Sequence, residues 1–161
     1  MYHSITFGNK NTWDDWHLIP ASRPVFAPPS VKFKYVDVPG LDGELDLTTV
    51  LSGVPLYTNR TGSLKFIVAN DYLTWDETYA TIMSYLHGQP MRAVLEDDFL
   101  FVYTGRFSVN EWRSDKQYSL IVINYSIDPY KKEMLLSPDD WLWDLFDFEN
   151  GVVGEYIGGS L

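Results

Sequence analysis

The sharpest periodicity in the chain runs through residues 74–88, TWDETYATIMSYLHG. Trp75, Tyr79, Ile82, Met83 and Leu86 recur at offsets of 0, 4, 7, 8 and 11, which puts them on one stripe of a helix. Thr74 and Glu77 have capping-box spacing, in which each side chain satisfies a free donor of the first turn. Gly88 suits a left-handed C-terminal cap, and Pro90 prevents continuation. The pattern predicts one amphipathic helix over about residues 75–87.

Elsewhere the apolar positions repeat with period two. SITF (4–7) and GSLKFIVAN (62–70) read as strands. In VKFKYVD (31–37), Val31, Phe33 and Tyr35 alternate with Lys32 and Lys34, the pattern of a strand with one wet face. After the helix, MRAVLED (91–97) and FLFVYTG (99–105) flank an acidic turn, and RFSVNEW (106–112) and QYSLIVINYSI (117–127) flank RSDK. These four segments predict a meander. LIVI at 120–123 is apolar on both faces, so its strand is expected at the centre of the sheet. The fold class that follows is mainly β (α+β), an antiparallel β-barrel or sandwich with one helix.

Two segments fit neither period. Residues 12–30 carry four prolines, which exclude a long helix or a central strand because each proline lacks a ladder donor. Trp13, Trp16, Leu18, Ile19, Val25 and Phe26 are too apolar for a free linker. An ordered extended arm is expected, packed on a neighbouring subunit or along the barrel edge. VDVPGLDGELDLT (36–48) turns at Pro39-Gly40 and again at Asp42-Gly43, then alternates acids with leucines. Gly40 and Gly43 permit turns that side chains disfavour. Leu41, Leu45 and Leu47 can dock into a groove while Asp42, Glu44 and Asp46 stay wet. The alternative is an ordinary long hairpin loop within one subunit.

Composition narrows the function. The chain has 161 residues, is 45% hydrophobic and contains no Cys, which excludes a disulfide scaffold, a Cys-ligated zinc site and thiol catalysis. The formal net charge is −10, with no basic patch of the kind nucleic-acid binders carry. Residues 132–161 hold seven acids and one base, so that −6 falls there and −4 on residues 1–131. No apolar run approaches the ~20 residues of a membrane-spanning helix. DPYKKE (128–133) reads as a boundary, and Asn150-Gly151 beyond it as a hairpin turn flanked by Phe146, Phe148, Val152 and Val153.

Candidate chemistry is sparse. His3, His17 and His87 lack metal-ligand spacing, and no metal or cofactor is expected. The acid pairs Asp14-Asp15, Asp97-Asp98 and Asp139-Asp140 could flank a glycosidic bond, but Asp97-Asp98 and Asp139-Asp140 sit where turn chemistry uses aspartate. Asp42, Glu44 and Asp46 do not have the spacing of an EF-hand loop. No nucleophile–base pair stands out, so no catalytic residue is assigned and no enzyme is expected. The 26 aromatic residues, six of them Trp, suit either a sugar-binding β module or a large protein interface.

The segments NTWDDWHLIPASRPVFAPPSVKFKYVDVPGLDGELDLTTVLSGVPLYTNRTGSLKFIV, YLHGQPMRAVLEDD, YTGRFSVNEWRSDKQYSLIVINYSIDPYK and SPDDWLWDLFDFENGVV together resemble distal tail proteins (the Dit family) of long-tailed, non-contractile phages and related prophages. The resemblance implies a tail-tube-like first domain over residues 1–131. It implies that residues 132–161 are a linker and the incomplete start of a second, galectin-like domain. It further implies a virion structural protein made in the host bacterial cytoplasm. Such a protein forms a homo-hexameric ring with the tail tube protein on one face and a tail-tip or baseplate protein on the other. DNA passes through without specific binding, and no membrane is involved. On this reading Trp13, Trp16, Pro39, Gly40, Leu41, Asp42, Gly43, Leu45 and Leu47 are candidate subunit-interface residues. The alternative is a carbohydrate-binding β module for host-surface attachment.

Overall fold

In the computed structural model, residues 3–69, 75–114, 119–134, 146–147 and 151–152 are described. The strands run as β1 (Ile5–Phe7), β2 (Lys10–Asn11), β3 (Leu18–Pro20), β4 (Tyr35–Asp37), β5 (Glu44–Asp46) and β6 (Arg60–Val68). Helix α1 (Trp75–Leu86) follows, then β7 (Pro90–Leu95), β8 (Phe101–Ser114), β9 (Ser119–Ile127) and β10 (Lys132–Glu133). The main antiparallel sheet has the order β2-β1-β7-β8-β9-β6-β3, with β10 also paired to β8. Strand β9 lies between β8 and β6, as its two-sided apolar run predicts, and Val122 on its outer face is only 5% exposed.

Alternation along each strand builds one core. Ile5 and Phe7, Leu64 and Phe66, Ala93 and Leu95, Tyr103 and Phe107, and Ile121, Ile123, Tyr125 and Ile127 all point into it. Each fully buried side chain of this size contributes roughly 1.5–3 kcal/mol over the exposed state. Helix α1 closes one side through Ile82 and Leu86, which are fully buried. Tyr79 and Met83 are half-buried, so the predicted stripe faces the sheet, joined by buried Thr78 and half-buried Tyr85. Thr74 of the capping box and the side chain of Trp75 lie outside the described residues. Gly88 follows the helix with φ 73, the left-handed cap its position predicts, and its N–H donates to the Phe107 carbonyl at 2.7 Å.

The expected meander has three strands where the sequence pattern suggested four. Residues 101–114 form one continuous strand, with a register shift between Val109 and Glu111. Gly105, where the sequence pattern ends one segment and begins the next, sits within the strand, and the β9 backbone approaches it too closely for a side chain. A Cβ there would overlap the Ser126 carbonyl oxygen and Ile127 Cα.

The ladder does not close into a barrel, so of the two architectures the sequence suggested, barrel or sandwich, the observed sheet is consistent with the sandwich. Its end strands, β2 and β3, are adjacent in sequence and meet at Thr12, which is fully buried. The Thr12 N–H donates to the Ile5 carbonyl (2.9 Å), its carbonyl accepts from the Leu18 N–H (2.7 Å), and its hydroxyl accepts from the Ile5 N–H (3.0 Å). One residue thus bridges the two edges of the sheet around the core.

The proline-rich segment is ordered and lies along its own sheet edge. Strand β3 pairs with β6 and ends at Pro20, an edge position that tolerates a missing donor. The chain then carries Phe26 into a ring cluster with Tyr103 (4.6 Å), Tyr125 (4.9 Å) and Phe107 (6.4 Å). The Ala27 N–H donates to the Tyr125 hydroxyl at 2.8 Å. At the other end, β10 pairs with Phe101–Val102 and the Met134 N–H donates to the Leu100 carbonyl, so residues 132–134 extend the main sheet. Strands β11 (Phe146–Asp147) and β12 (Gly151–Val152) form a separate hairpin in which Gly151 pairs with Asp147. A hairpin about Asn150-Gly151 is what the sequence predicts; Gly151 lies in its second strand, and residues 148–150 lie outside the described residues.

Candidate subunit interface

Strands β4 and β5 form a hairpin outside the main sheet. Its first turn follows from sequence: Pro39 has its φ preset, Gly40 has φ 87, and the Leu41 N–H donates to the Val38 carbonyl at 3.1 Å. Proline followed by a left-handed glycine is the chemistry of a type II turn. Gly43, φ 80, makes the second bend into β5. The hairpin continues to its base through Lys32 N–H to the Leu56 carbonyl (2.8 Å), Thr58 N–H to the Ser30 carbonyl (2.8 Å) and a Val31–Tyr57 bridge.

Register sorts the side chains by face. Val36 lies opposite Leu45, whereas Tyr35 lies opposite Asp46 and Asp37 opposite Glu44. Facing partners share a side, so one face carries Val36 and Leu45 and the other carries Tyr35, Asp37, Glu44 and Asp46. At the hairpin end, the Thr48 N–H donates to Asp46 Oδ1 at 2.9 Å, and the Lys34 N–H donates to the Thr48 hydroxyl at 3.1 Å. Hydrogen bonds from the Thr48 hydroxyl and N–H hold the Asp46 carboxyl below the usual carboxylate range.

No residue from 28 to 63 is buried. Of the fourteen large apolar side chains exposed among the described residues, nine lie between Phe33 and Leu56, including Leu41 (52%), Leu45 (46%) and Leu51 (101%). A two-stranded ribbon is at best marginally stable alone, and a concentrated apolar surface marks an interaction site. The expectation that VKFKYVD is half-buried is not met: Phe33 and Tyr35 stand exposed and stack on each other at 5.7 Å.

The structure gathers Pro39, Gly40, Leu41, Asp42, Gly43 and Leu45 at one exposed tip, with Leu47 half-buried behind them. It separates the two tryptophans from that tip. Trp16 is 5% exposed and packs in its own core against Phe7 (6.3 Å) and Tyr85 (5.7 Å), so its position is set by packing inside the subunit. Trp13 is half-buried and meets the His17 ring edge-on at 5.7 Å.

Of the acids and histidines singled out in the sequence, His3, Asp15, His87, Asp97 and Asp98 tie segments of the chain together. Asp15 accepts from the Asn11 N–H at 2.7 Å, which lowers its pKa. Asp97 is held low by His3, and also binds Arg23 at 3.1 Å. Asp98 accepts from the Tyr103 hydroxyl (3.0 Å) and from Lys131 Nζ (2.8 Å). Burial first, then Asp98, pushes the Tyr103 pKa up to about 12. His87 Nδ1 accepts from the Val109 N–H. Among the described residues no group of three or more His, Asp or Glu could hold a metal ion, and no helix is long and apolar enough to cross a membrane. Asp139 and Asp140 lie outside the described residues.

No family model matches the sequence, and no curated protein matches it. Among solved structures, the chain superposes on the SPP1 Dit protein (gp 19.1), a paradigm of the hub adsorption apparatus in phages that infect Gram-positive bacteria, with a TM-score of 0.62 and 16% identity. The chain has the fold of a phage Dit protein. The match covers 83% of this chain and 53% of the SPP1 chain, so this chain spans about half the length of that Dit protein. The fold agrees with the resemblance read from the sequence.

On this Dit fold, the exposed surface is larger than the sequence reading proposed. Phe33, Tyr35, Val38, Val50, Leu51, Val54 and Leu56 belong to it as well. The available signal was TTVLSGVPLY (48–57), an apolar run without either period.

Proposed function

We propose that this chain is a structural subunit of a phage tail, forming a hexameric ring, or hub, that joins the tail tube to the tail tip or baseplate. The observation that carries this reading is a projecting apolar hairpin on a Dit fold. A ring subunit meets its two neighbours through different surfaces, and a protruding element of defined shape meets that need. The tail tube protein then sits on one face and a tail-tip protein on the other, and the particle is assembled from chains made in the host cytoplasm. Six copies would carry about −60, a field that repels DNA and suits a conduit through which DNA slides. Of the acid pairs that a hydrolase reading would recruit, Asp97 and Asp98 are engaged in clasps that join segments of the fold, which favours a non-enzymatic role.

A carbohydrate-binding role has one observation in its favour, the exposed Phe33–Tyr35 stack. Its position on the hairpin, among apolar neighbours, fits a protein contact better. Light scattering of the purified chain, alone and with tail-tube protein, tests the proposal. A closed oligomer supports the hub, whereas a monomer that retains glycan supports the sugar-binding reading.

A further inference from the structure

The main sheet turns one face into the core and the other outward. Alternation assigns the outer face: Leu120, Val122 and Ser126 of β9 point away from the buried Ile121, Ile123, Tyr125 and Ile127, and their ladder partners share their side. Cations scattered along the sequence meet there. Lys65 lies opposite Val122, Arg106 opposite Ser126, Arg113 opposite Leu120, Arg92 opposite Thr104 and Lys132 opposite Val102, and all five cations are exposed. The acids on this side are Glu111 and, just past β9, Asp128. A chain of net charge −10 thus presents one positive sheet face. Its densest part surrounds Val102 and Thr104 of β8. Arg92 and Arg106 are diagonal neighbours there, a relation that puts residues ~7–8 Å apart, and Lys132 flanks them from β10. Arg106 donates from Nη1 to the Gly88 carbonyl at 2.9 Å, whereas Arg92 and Lys132 have no ion-pair partner among the described residues.

The β4–β5 ribbon carries the opposite sign. Tyr35, Asp37, Glu44 and Asp46 share one of its faces, and Phe33 stacks on Tyr35 on that side. Alternation sends Lys32 and Lys34 to the reverse. Asp37 lies directly opposite Glu44, a like-charge pairing that destabilises a ribbon, and no base among the described residues pairs with either. Resting on the ring reading above, we infer that the outer sheet face around Arg92, Arg106 and Lys132 receives this acidic face of the β4–β5 hairpin from a second copy of the chain. Charge complementarity points to the occupant: charges left unpaired within the subunit are sorted by sign onto two different surfaces. A cation between Asp37 and Glu44 relieves their repulsion, and the Phe33–Tyr35 stack offers a guanidinium an aromatic face. DNA has the right sign for the sheet but leaves the opposed carboxylates unexplained; the hairpin accounts for both surfaces. Each copy gives its hairpin to one neighbour and its sheet to the other, and such head-to-tail contacts make a ring when the rotation closes. Val36 and Leu45 lie on the reverse of the ribbon, so the charged contact and the apolar one can be tested apart.

Charge reversal in the full chain is the test. Arg92→Glu with Lys132→Glu, and Asp37→Lys with Glu44→Lys, change exposed side chains that hold nothing within the subunit, so urea midpoints should stay near that of the unmodified chain. In light scattering each double variant alone should assemble more than about tenfold more weakly, because like charges then meet across the contact. Mixed together, the two variants should assemble again in equal proportion, since each hairpin then finds a sheet face of opposite sign. Assembly of the unmodified chain should weaken with added salt. Variants that assemble as the unmodified chain does, or a mixture that stays apart, would overturn the assignment of these faces and leave the ring reading standing. Sheet-face reversals that spare assembly but abolish retention on a short DNA duplex would overturn it in favour of nucleic acid. An unmodified chain that stays monomeric at all concentrations would overturn both.

Discussion

Phe26→Ala is the perturbation that probes the proline-rich segment most directly. Phe26 is 4% exposed and is the only aromatic residue between Pro20 and Pro28, so its ring is the segment's chief anchor. Removing a buried phenylalanine costs about 3–5 kcal/mol, combining lost transfer free energy with the cavity left behind. Three rings surround it within 6.4 Å, and aromatic pairs add roughly 0.5–1.5 kcal/mol each beyond area. The upper half of the range is therefore expected, about 4 kcal/mol. For a chain of this length that lowers Tm by roughly 8–16 °C. Urea titration followed by tryptophan fluorescence measures the loss, with Leu51→Ala as a fully exposed control expected to change stability by less than about 0.5 kcal/mol. The substitution should also open the segment between Ala21 and Val25 to protease, because Phe26 and the Ala27–Tyr125 hydrogen bond hold it down. A loss below about 1 kcal/mol would refute the account of the segment as part of the core.

Three further outcomes follow from the same structure. Leu45→Ser combined with Leu51→Ser should abolish oligomers in light scattering while leaving the urea midpoint of the monomer unchanged, because both side chains are exposed. Gly105→Ala should cost about 1–3 kcal/mol, since the added methyl overlaps the β9 backbone; an unchanged midpoint would mean that β8 and β9 are not so close. Tyr103 has its folded pKa raised from 10.0 to about 12, so the folded state holds the proton more tightly than the unfolded state. Its contribution is fully present below about pH 10 and is lost as pH rises through about 12; Tyr103→Phe should flatten stability against pH in that window.

Helix α1 was legible because its stripe and its glycine stop are local signals that the tertiary structure reinforces. Strand β9 was legible for the same reason: a two-sided apolar run has few places to go except the sheet centre. The break expected at Gly105 failed because a glycine in a strand marks close approach as readily as a turn, and only the neighbouring strand decides which. Phe33 and Tyr35 were read as half-buried because alternation reports which residues share a face, not whether another layer covers that face. Trp13 and Trp16 are interface candidates in the sequence as apolar anchors of the proline-rich arm; the turn from Thr12 to His17 delivers Trp16 to the core. The tip itself was legible from Pro39-Gly40 and Asp42-Gly43, whose turn chemistry is local.

The central claim is that this fold builds a ring through its hairpin. Negative-stain electron microscopy of the full chain, alone and with the tail-tube protein, tests it most directly. The account predicts closed particles of six-fold symmetry with a central opening, lost when Leu45→Ser and Leu51→Ser are introduced. Single, unassembled subunits under both conditions, or rings that persist unchanged with both substitutions, would contradict it.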